Sequence, residues 1–180
     1  HGIMGPNGAG KTTFFNVLTG HHKPDGGTIN FDGRNVTGEP PHRLARRGMS
    51  RSFQIMNLFD DTTVLENVVL ALPEFRRQAF NPVRGVFGNR ALTDAAREVL
   101  DQVGLSHRAD EGARSLPYGE RRALEIAVAL AARPRIVFLD EPTSGLGTDA
   151  TSALADLIGR IRQRYTIVLI EHDMHFLFGL

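Results

Sequence analysis

Hydrophobic positions along the chain fall into two kinds of stretch. Ile136 to Leu139 and Thr166 to Ile170 are continuous apolar runs with the length and β-branched content of strands buried on both faces. Between them Ala150, Ala153, Leu154, Leu157, Ile158, Ile161 and Tyr165 recur with the spacing of one helix face. Strand, helix and strand in that order predict a βαβ unit, hence a parallel sheet. Thr28 to Phe31, followed by Asp32-Gly33, predicts a short strand entering a tight turn, part of a small antiparallel piece.

Three more segments carry helical spacing. Thr12 to Thr19 places Phe14, Phe15, Val17 and Leu18 ahead of a stop at Gly20. Thr63-x-x-Glu66 is a capping box opening a helix over Val64 to Leu72, with Val64, Leu65, Val68, Val69 and Leu72 on the buried side. Leu92 to Val103 aligns Leu92, Ala96, Val99, Leu100 and Val103 and ends at Gly104. The polar, glycine-containing stretch from Pro73 to Arg90 predicts a loop. These central helices form a subdomain beside the sheet, and no internal repeat or low-complexity tract interrupts them.

Bulk composition narrows the class. At 180 residues the chain suits one domain with a sizeable core. A net charge of +1 gives no broad basic surface, so no nucleic-acid partner is expected, and Arg121-Arg122 and Arg46-Arg47 read as solvated helix faces. The absence of cysteine excludes a disulfide scaffold and cysteine-ligated zinc. No apolar run approaches the roughly 18 residues of a membrane span, so any membrane role is expected to be peripheral. His1 stands in place of an initiator methionine, and only Ile3 and Met4 remain of the strand expected ahead of Gly5. Met174 to Leu180 begins an apolar element and stops, so the expectation is the middle of a larger domain.

Chemistry enters at Gly5 to Thr12, which reads G-P-N-G-A-G-K-T. In this phosphate-loop pattern glycines let successive amides turn toward a polyphosphate, the lysine reaches the outer phosphates and the threonine hydroxyl takes a Mg²⁺ position. Nucleotide-binding candidates are therefore Gly5, Pro6, Asn7, Gly8, Ala9, Gly10, Lys11, Thr12 and Thr13, at the N-terminus of a helix. The chain has only two lysines, Lys11 and Lys23, against nineteen arginines, so the one in the loop answers a need for a compact point charge. Downstream, Ile136 to Leu139 delivers Asp140 and Glu141 at a strand's C-terminal end, where open α/β sheets place their ligands. Asp140 would hold Mg²⁺, directly or through water, and Glu141 would polarise an attacking water.

With these segments in this order, nearly the whole chain resembles the nucleotide-binding domain of an ATP-binding-cassette transporter. Gln54, in Ser52-Phe53-Gln54, matches the glutamine loop, which the resemblance assigns to Mg²⁺, the attacking water and the membrane partner. Leu116, Pro117, Tyr118, Gly119 and Glu120 occupy the signature position that completes a facing subunit's ATP site. Tyr118 serves there either in packing or in contact. Ser144-Gly145-Leu146-Gly147 matches the segment that crosses between subunits, and Glu171-His172-Asp173 the switch histidine. His172 with His175 could instead suggest a metal pair, but no third ligand is apparent, and a neutral imidazole donating to a terminal phosphate fits better.

The resemblance implies an α/β fold: a P-loop NTPase parallel sheet core over 1–54 and 134–180, a small antiparallel piece, and a helical subdomain over 55–133, truncated at both ends. It implies an ATPase using ATP and Mg²⁺, with Lys11, Glu141, His172 and Gln54 catalytic and Thr12, Gln54 and Asp140 at the metal. Expected partners are a second nucleotide-binding domain in a homo- or heterodimer, transmembrane permease subunits, and a substrate-binding protein indirectly. The expected location is the cytoplasmic face of the plasma (inner) membrane. L-P-Y-G, R-S-F-Q, L-E-I-A and I-E-H-D-M are most similar to the ATP-binding subunits of branched-chain amino-acid importers.

Two positions depart from the family pattern. Pro117 stands where serine is usual, which removes a hydroxyl contact to phosphate, and Gly147 stands where aspartate is usual. The residue that stacks on adenine in the family falls outside the chain. Two other readings compete. A DNA-organising relative would need a very long coiled coil between Gln54 and Leu116, where only 62 positions separate the two, and a translation factor would need two cassettes. A nucleotide-sensing module without turnover would tend to lose the base, and Glu141 is present.

Overall fold

The structure is a computed structural model that describes residues 1–6, 8–52, 58–78 and 89–180. Asn7 and Gln54 lie outside the described residues, as does much of the stretch read as a loop.

A four-stranded parallel sheet organises the chain, in the order β1 (Gly2–Ile3), β6 (Thr166–Ile170), β5 (Ile136–Asp140), β4 (Met49–Arg51). The unit read as βαβ is β5, α7 (Thr148–Ile161) and β6, with Ile136 opposite Thr166 and Asp140 opposite Ile170. Strand residues alternate between faces. Val137 and Leu139 therefore enter an apolar cluster with the central helices and α7, while Phe138 enters a second cluster with Phe15, Val36, Leu44, Met49 and Ile170. Phe15 and Phe138 meet edge to face at 5.3 Å, an arrangement aromatic quadrupoles favour. Asp140 shares the parity of Ile136 and Phe138, so the sheet's own period turns its carboxylate toward α1 (Lys11–Leu18).

The antiparallel piece is a hairpin of β2 (Asn30–Phe31) and β3 (Arg34–Asn35). Its turn, Asp32-Gly33, has φ of 52° and 73°, the left-handed pair that hairpin turns need and that Asp-Gly supplies.

In the central region α3 (Val64–Ala71) opens on the expected capping box, with both reciprocal bonds made. α5 (Arg90–Val103) buries Leu92, Ala96, Val99, Leu100 and Val103 and ends at Gly104 with φ 78°. α6 (Tyr118–Ala131) packs against α3 and α5 and on toward α7. The buried Asn67 has no counterpart in the apolar pattern. Its amide donates to Phe59 O, Thr62 Oγ1 and Thr63 O, and its oxygen accepts from Phe59 N, which fastens the approach to α3 onto the helix.

Several expectations change. Pro73 to Gln78 is helix α4 rather than loop: Pro73 takes the first helical position, where its missing N–H costs nothing, and Phe75 packs on the core. Helix α2 (Pro41–Arg46) and strand β4 lacked a signal because one is six residues long and the other three, with polar Ser50 and Arg51. Of the arginines read as solvated, only Arg46 is exposed. Arg47 makes a bidentate pair with Glu39, Arg121 pairs with Asp60, and Arg122 is buried in an ion pair with Glu125 at 2.8 Å. Burial pushes the Glu125 carboxyl up, and the Arg122 guanidinium opposes that shift. The capacity of a long side chain to bury its stem while pairing its head is invisible to a count of charges.

Candidate functional site

Gly8 and Gly10 have φ of 82° and 84°, and a Cβ at either would meet no atom within 4 Å. Their glycine character thus answers backbone conformation, since side chains rarely adopt positive φ. The turn they make delivers the chain into α1 with Gly10 as N-cap and no side chain capping the helix. The first amides of α1 are left to an anion. Lys11 is buried, and its ammonium donates to Gly5 O at 2.7 Å and Pro6 O at 3.0 Å. An ammonium has three donors, so one remains for a ligand.

Asp140 closes β5 at 1% exposure. Arg51 Nη2 donates to its Oδ2 at 2.8 Å, while Oδ1 is buried with no hydrogen-bond partner. Arg51 Nη1 reaches back to α1, donating to Asn16 Oδ1 at 2.7 Å and Thr19 Oγ1 at 3.0 Å. The guanidinium lies over the Phe15 ring, 5.9 Å from its centroid. A single arginine thereby ties the carboxylate of β5 to the helix that carries the phosphate loop.

Glu141 follows in a left-handed conformation, φ 44°, held by its own N–H donating to Ile170 O at 2.9 Å and its carbonyl accepting from Ser144 N at 3.1 Å. Such a conformation costs a non-glycine residue about 1 kcal/mol or more and persists where surroundings enforce it, often at functional sites. Behind it, Glu171 is fully buried at the end of β6. Its Oε1 accepts from Thr143 N at 2.9 Å and Thr143 Oγ1 at 2.5 Å, and its Oε2 accepts from His172 N at 3.2 Å. This carboxylate fastens the turn after Glu141 to the turn that carries His172, whose ring is more than half exposed.

The structure therefore brings α1's N-terminus, Asp140, Glu141 and His172 to the C-terminal ends of adjacent strands. Leu116 to Glu120 lies apart. Pro117 is the N-cap of α6 with φ −54°, a conformation proline adopts without strain. Tyr118 keeps 43% of its surface exposed, donates to Ser144 O at 3.3 Å and lies under Arg122. A Cβ at Gly119 would approach the Cβ of Ala150 to 3.0 Å, so close approach at this glycine is to α7 of its own chain. Glu120 forms an ion contact with Arg108 at 3.2 Å. Among the described residues no hydrogen bond or ion pair joins this segment to the phosphate loop.

Sequence reasoning assigned no role to Arg51, Thr143 or Glu171. A lone arginine before Gln54 and a glutamate before His172 carry no spacing signal of their own. What makes them matter is which buried oxygens and amides they meet in space.

Comparison with known proteins agrees with this geometry. Residues 1–144 match the family described as ABC transporter. The high-affinity branched-chain amino acid transport ATP-binding protein BraF of Pseudomonas aeruginosa is 41% identical over 187 residues, covering 99% of this chain and 72% of that protein. The corresponding protein LivG of Escherichia coli is 40% identical over 195 residues, with the same coverages. Among solved structures, an ATP-binding cassette of an ABC transporter in its ADP conformation superposes with a TM-score of 0.83 at 28% identity, covering 99% of this chain and 72% of that one. The phosphate-loop turn, the buried aspartate of β5 and these relatives converge on one conclusion: the chain belongs to the ABC transporter family, as a nucleotide-binding ATPase domain.

Proposed function

We propose that this chain is the ATP-hydrolysing subunit of a membrane importer for branched-chain amino acids, bound peripherally through permease subunits at the cytoplasmic face of the plasma (inner) membrane. The observation that carries the substrate class is 41% and 40% identity, over 99% of the chain, to branched-chain amino acid transport ATP-binding proteins. Within the described residues no helix is long and apolar enough to cross a membrane. In this reading 1–54 and 134–180 form the nucleotide core and 55–133 the helical subdomain that faces the permease.

ATP fits the open turn at Gly8 and Gly10, the uncapped start of α1 and the spare donor of Lys11. Mg²⁺ fits Asp140, whose buried Oδ1 has no partner. Thr12 and Gln54, the latter outside the described residues, would be its further ligands. Bound there, the metal would neutralise charge on the phosphates. Lys11 binds and orients the outer phosphates. Glu141 orients the water for in-line attack and accepts its proton, and the enforced backbone at Glu141 fixes where its side chain leaves the chain. His172 donates to the terminal phosphate from the turn that Glu171 anchors. The signature of a second nucleotide-binding domain, Leu116 to Glu120, completes the site from across a dimer.

Purification of the tagged chain from its own membranes tests this function. Permease subunits should co-purify, and in reconstituted vesicles ATP hydrolysis should rise with leucine and its binding protein. Hydrolysis indifferent to branched-chain amino acids would reject the substrate class. Recovery with DNA or ribosomes and no membrane protein would favour a soluble member of the family.

A further inference from the structure

Arg51 links α1 and β5 through partly buried polar contacts. Its side chain is 10% exposed, pairs with Asp140 at 2.8 Å, and is held on its other arm by Asn16 and Thr19. A carboxylate as buried as Asp140 needs a cation beside it. One is already in residence, while the second carboxylate oxygen stays free.

We infer that Arg51 is a positioning residue that acts as the resident counter-cation of Asp140 and suppresses divalent-metal binding there until nucleotide phosphates arrive. The inference rests on the metal role proposed above for Asp140. Two consequences of the pairing act together. Oδ2 is occupied, so a metal or its water has only Oδ1 to meet. A guanidinium beside that oxygen also repels a second cation, and it does so more strongly in a buried site than in water. Phosphates bring negative charge that offsets this repulsion, so metal and nucleotide enter together.

The guanidinium cannot simply swing away. Its planar fork is engaged on both arms and covered by the Phe15 ring. Its Nε is buried without a hydrogen-bond partner. Among the described residues His21 also joins this network, meeting Thr19 Oγ1 at 3.2 Å. Burial and the Arg51 charge, in that order, hold the His21 ring below the usual histidine range, so it adds no second cation near neutral pH.

The test uses the full chain with Mn²⁺ as an EPR-visible probe at pH 8, without nucleotide and with ADP. Arg51→Gln should bind nucleotide-free Mn²⁺ about tenfold more tightly than the parent, the effect of about 1.4 kcal/mol of relieved repulsion. Adding Asp140→Asn should erase that gain. Arg51→Lys keeps a cation beside Asp140 and should stay close to the parent. A merely structural arginine predicts the opposite sign, because loosening the site weakens metal binding. If Arg51→Gln does not fold, Arg51→Met, which keeps an apolar stem over Phe15, carries the same expectation. Unchanged or weaker nucleotide-free binding, with Asp140→Asn still abolishing Mn²⁺ binding in ADP, would overturn the role of Arg51 alone. Mn²⁺ binding in ADP that ignores Asp140→Asn would overturn the metal site and this inference with it.

Discussion

Two helices of this chain begin at places proposed to meet phosphate, and they begin in different ways. α1 starts from a left-handed glycine, with open space around the turn and no contact that fills it. α6 starts from an extended proline, and the residues after it are engaged by their own chain: Tyr118 with Ser144, Gly119 against Ala150, Glu120 with Arg108. Neither helix has a side-chain cap, so both offer free amides. The difference is that the first site is assembled by a turn within a few residues, whereas the second is a surface whose proposed phosphate belongs to another subunit. Substitutions at the first should act on binding directly, and those at the second should mix folding with association.

The largest effects belong to the first site. Lys11→Ala should weaken ATP binding by about a hundredfold, since a charged hydrogen bond contributes roughly 1.5 to 3 kcal/mol and the ammonium also neutralises phosphate charge. Glu141→Gln should leave ATP affinity within about threefold while slowing turnover roughly a hundredfold or more, the usual contribution of a general base. ATP titration and single-turnover hydrolysis separate the two. Equal ATP affinity in Lys11→Ala and parent would remove the phosphate-loop assignment, and a Glu141→Gln protein that hydrolyses at the parent rate would remove the base.

At the second site, Gly119→Ala forces a Cβ toward Ala150 and should destabilise by about 1 kcal/mol, a modest overpacking cost partly offset by helix propensity. Ala150→Gly in the same chain reopens the space. Denaturant midpoints should show the double variant recovering part of that loss. Its ATP-dependent dimerisation, measured in the Glu141→Gln background, then reports the phosphate contact without the packing defect. No loss of stability in Gly119→Ala would mean that α6 and α7 are less tightly apposed than the structure has them.

This contrast also explains what the sequence disclosed. Gly8 and Gly10 stood out because each has a local conformational job, and Leu92, Ala96, Val99, Leu100 and Val103 announced a helix because all five face the same core. Gly119 was legible as a glycine but not as a packing contact, since Ala150 lies 31 positions away and no local pattern links them. Arg51 and Glu171 were illegible for the same reason: their partners, Asp140 and Thr143, come from other elements. Arg122 misled because its charge suggested solvent, while its partner Glu125 sits one turn on and both are buried. Local period and turn chemistry reached the sheet, the helices and the loop. Long-range polar pairing did not register, because it has no period.

An effect on association rather than on packing is expected at Pro117. Serine there could donate to a facing phosphate, tightening the ATP-bound dimer by about tenfold to a hundredfold at most. Because Pro117 is the N-cap of α6, the new hydroxyl oxygen could instead accept from the amide of Glu120 and raise stability by about 1 kcal/mol. Sedimentation with ATP and thermal unfolding without it distinguish the two outcomes. A tighter dimer at unchanged monomer stability supports the intersubunit contact, and a stability gain with no change in dimerisation rejects it.

The smallest effect is expected at Gly147, the other departure from the family pattern. Gly147 is the N-cap of α7, in an extended conformation that any residue accepts, with no capping bond, and a Cβ at this position would meet no atom within 4 Å. Aspartate there can accept from an amide of the first turn and place its charge at the positive end of the helix. Glycine is already a tolerable cap, so the gain from the bond is about a few tenths of a kcal/mol, and the dipole adds roughly 0.3 to 1 kcal/mol at low salt. Asp149, already in the first turn, lowers that second contribution by like-charge repulsion. Gly147→Asn isolates the bond, because it caps without a net charge. Denaturant midpoints at low and high salt should rank Gly147→Asp above Gly147→Asn above parent at low salt, with the two variants converging as salt screens the charge. If Gly147→Asp raised ATP-dependent dimerisation well beyond this stability gain while Gly147→Asn did not, the charge would be acting across the subunit boundary, and α7's start would join α6's start as a surface read by the partner.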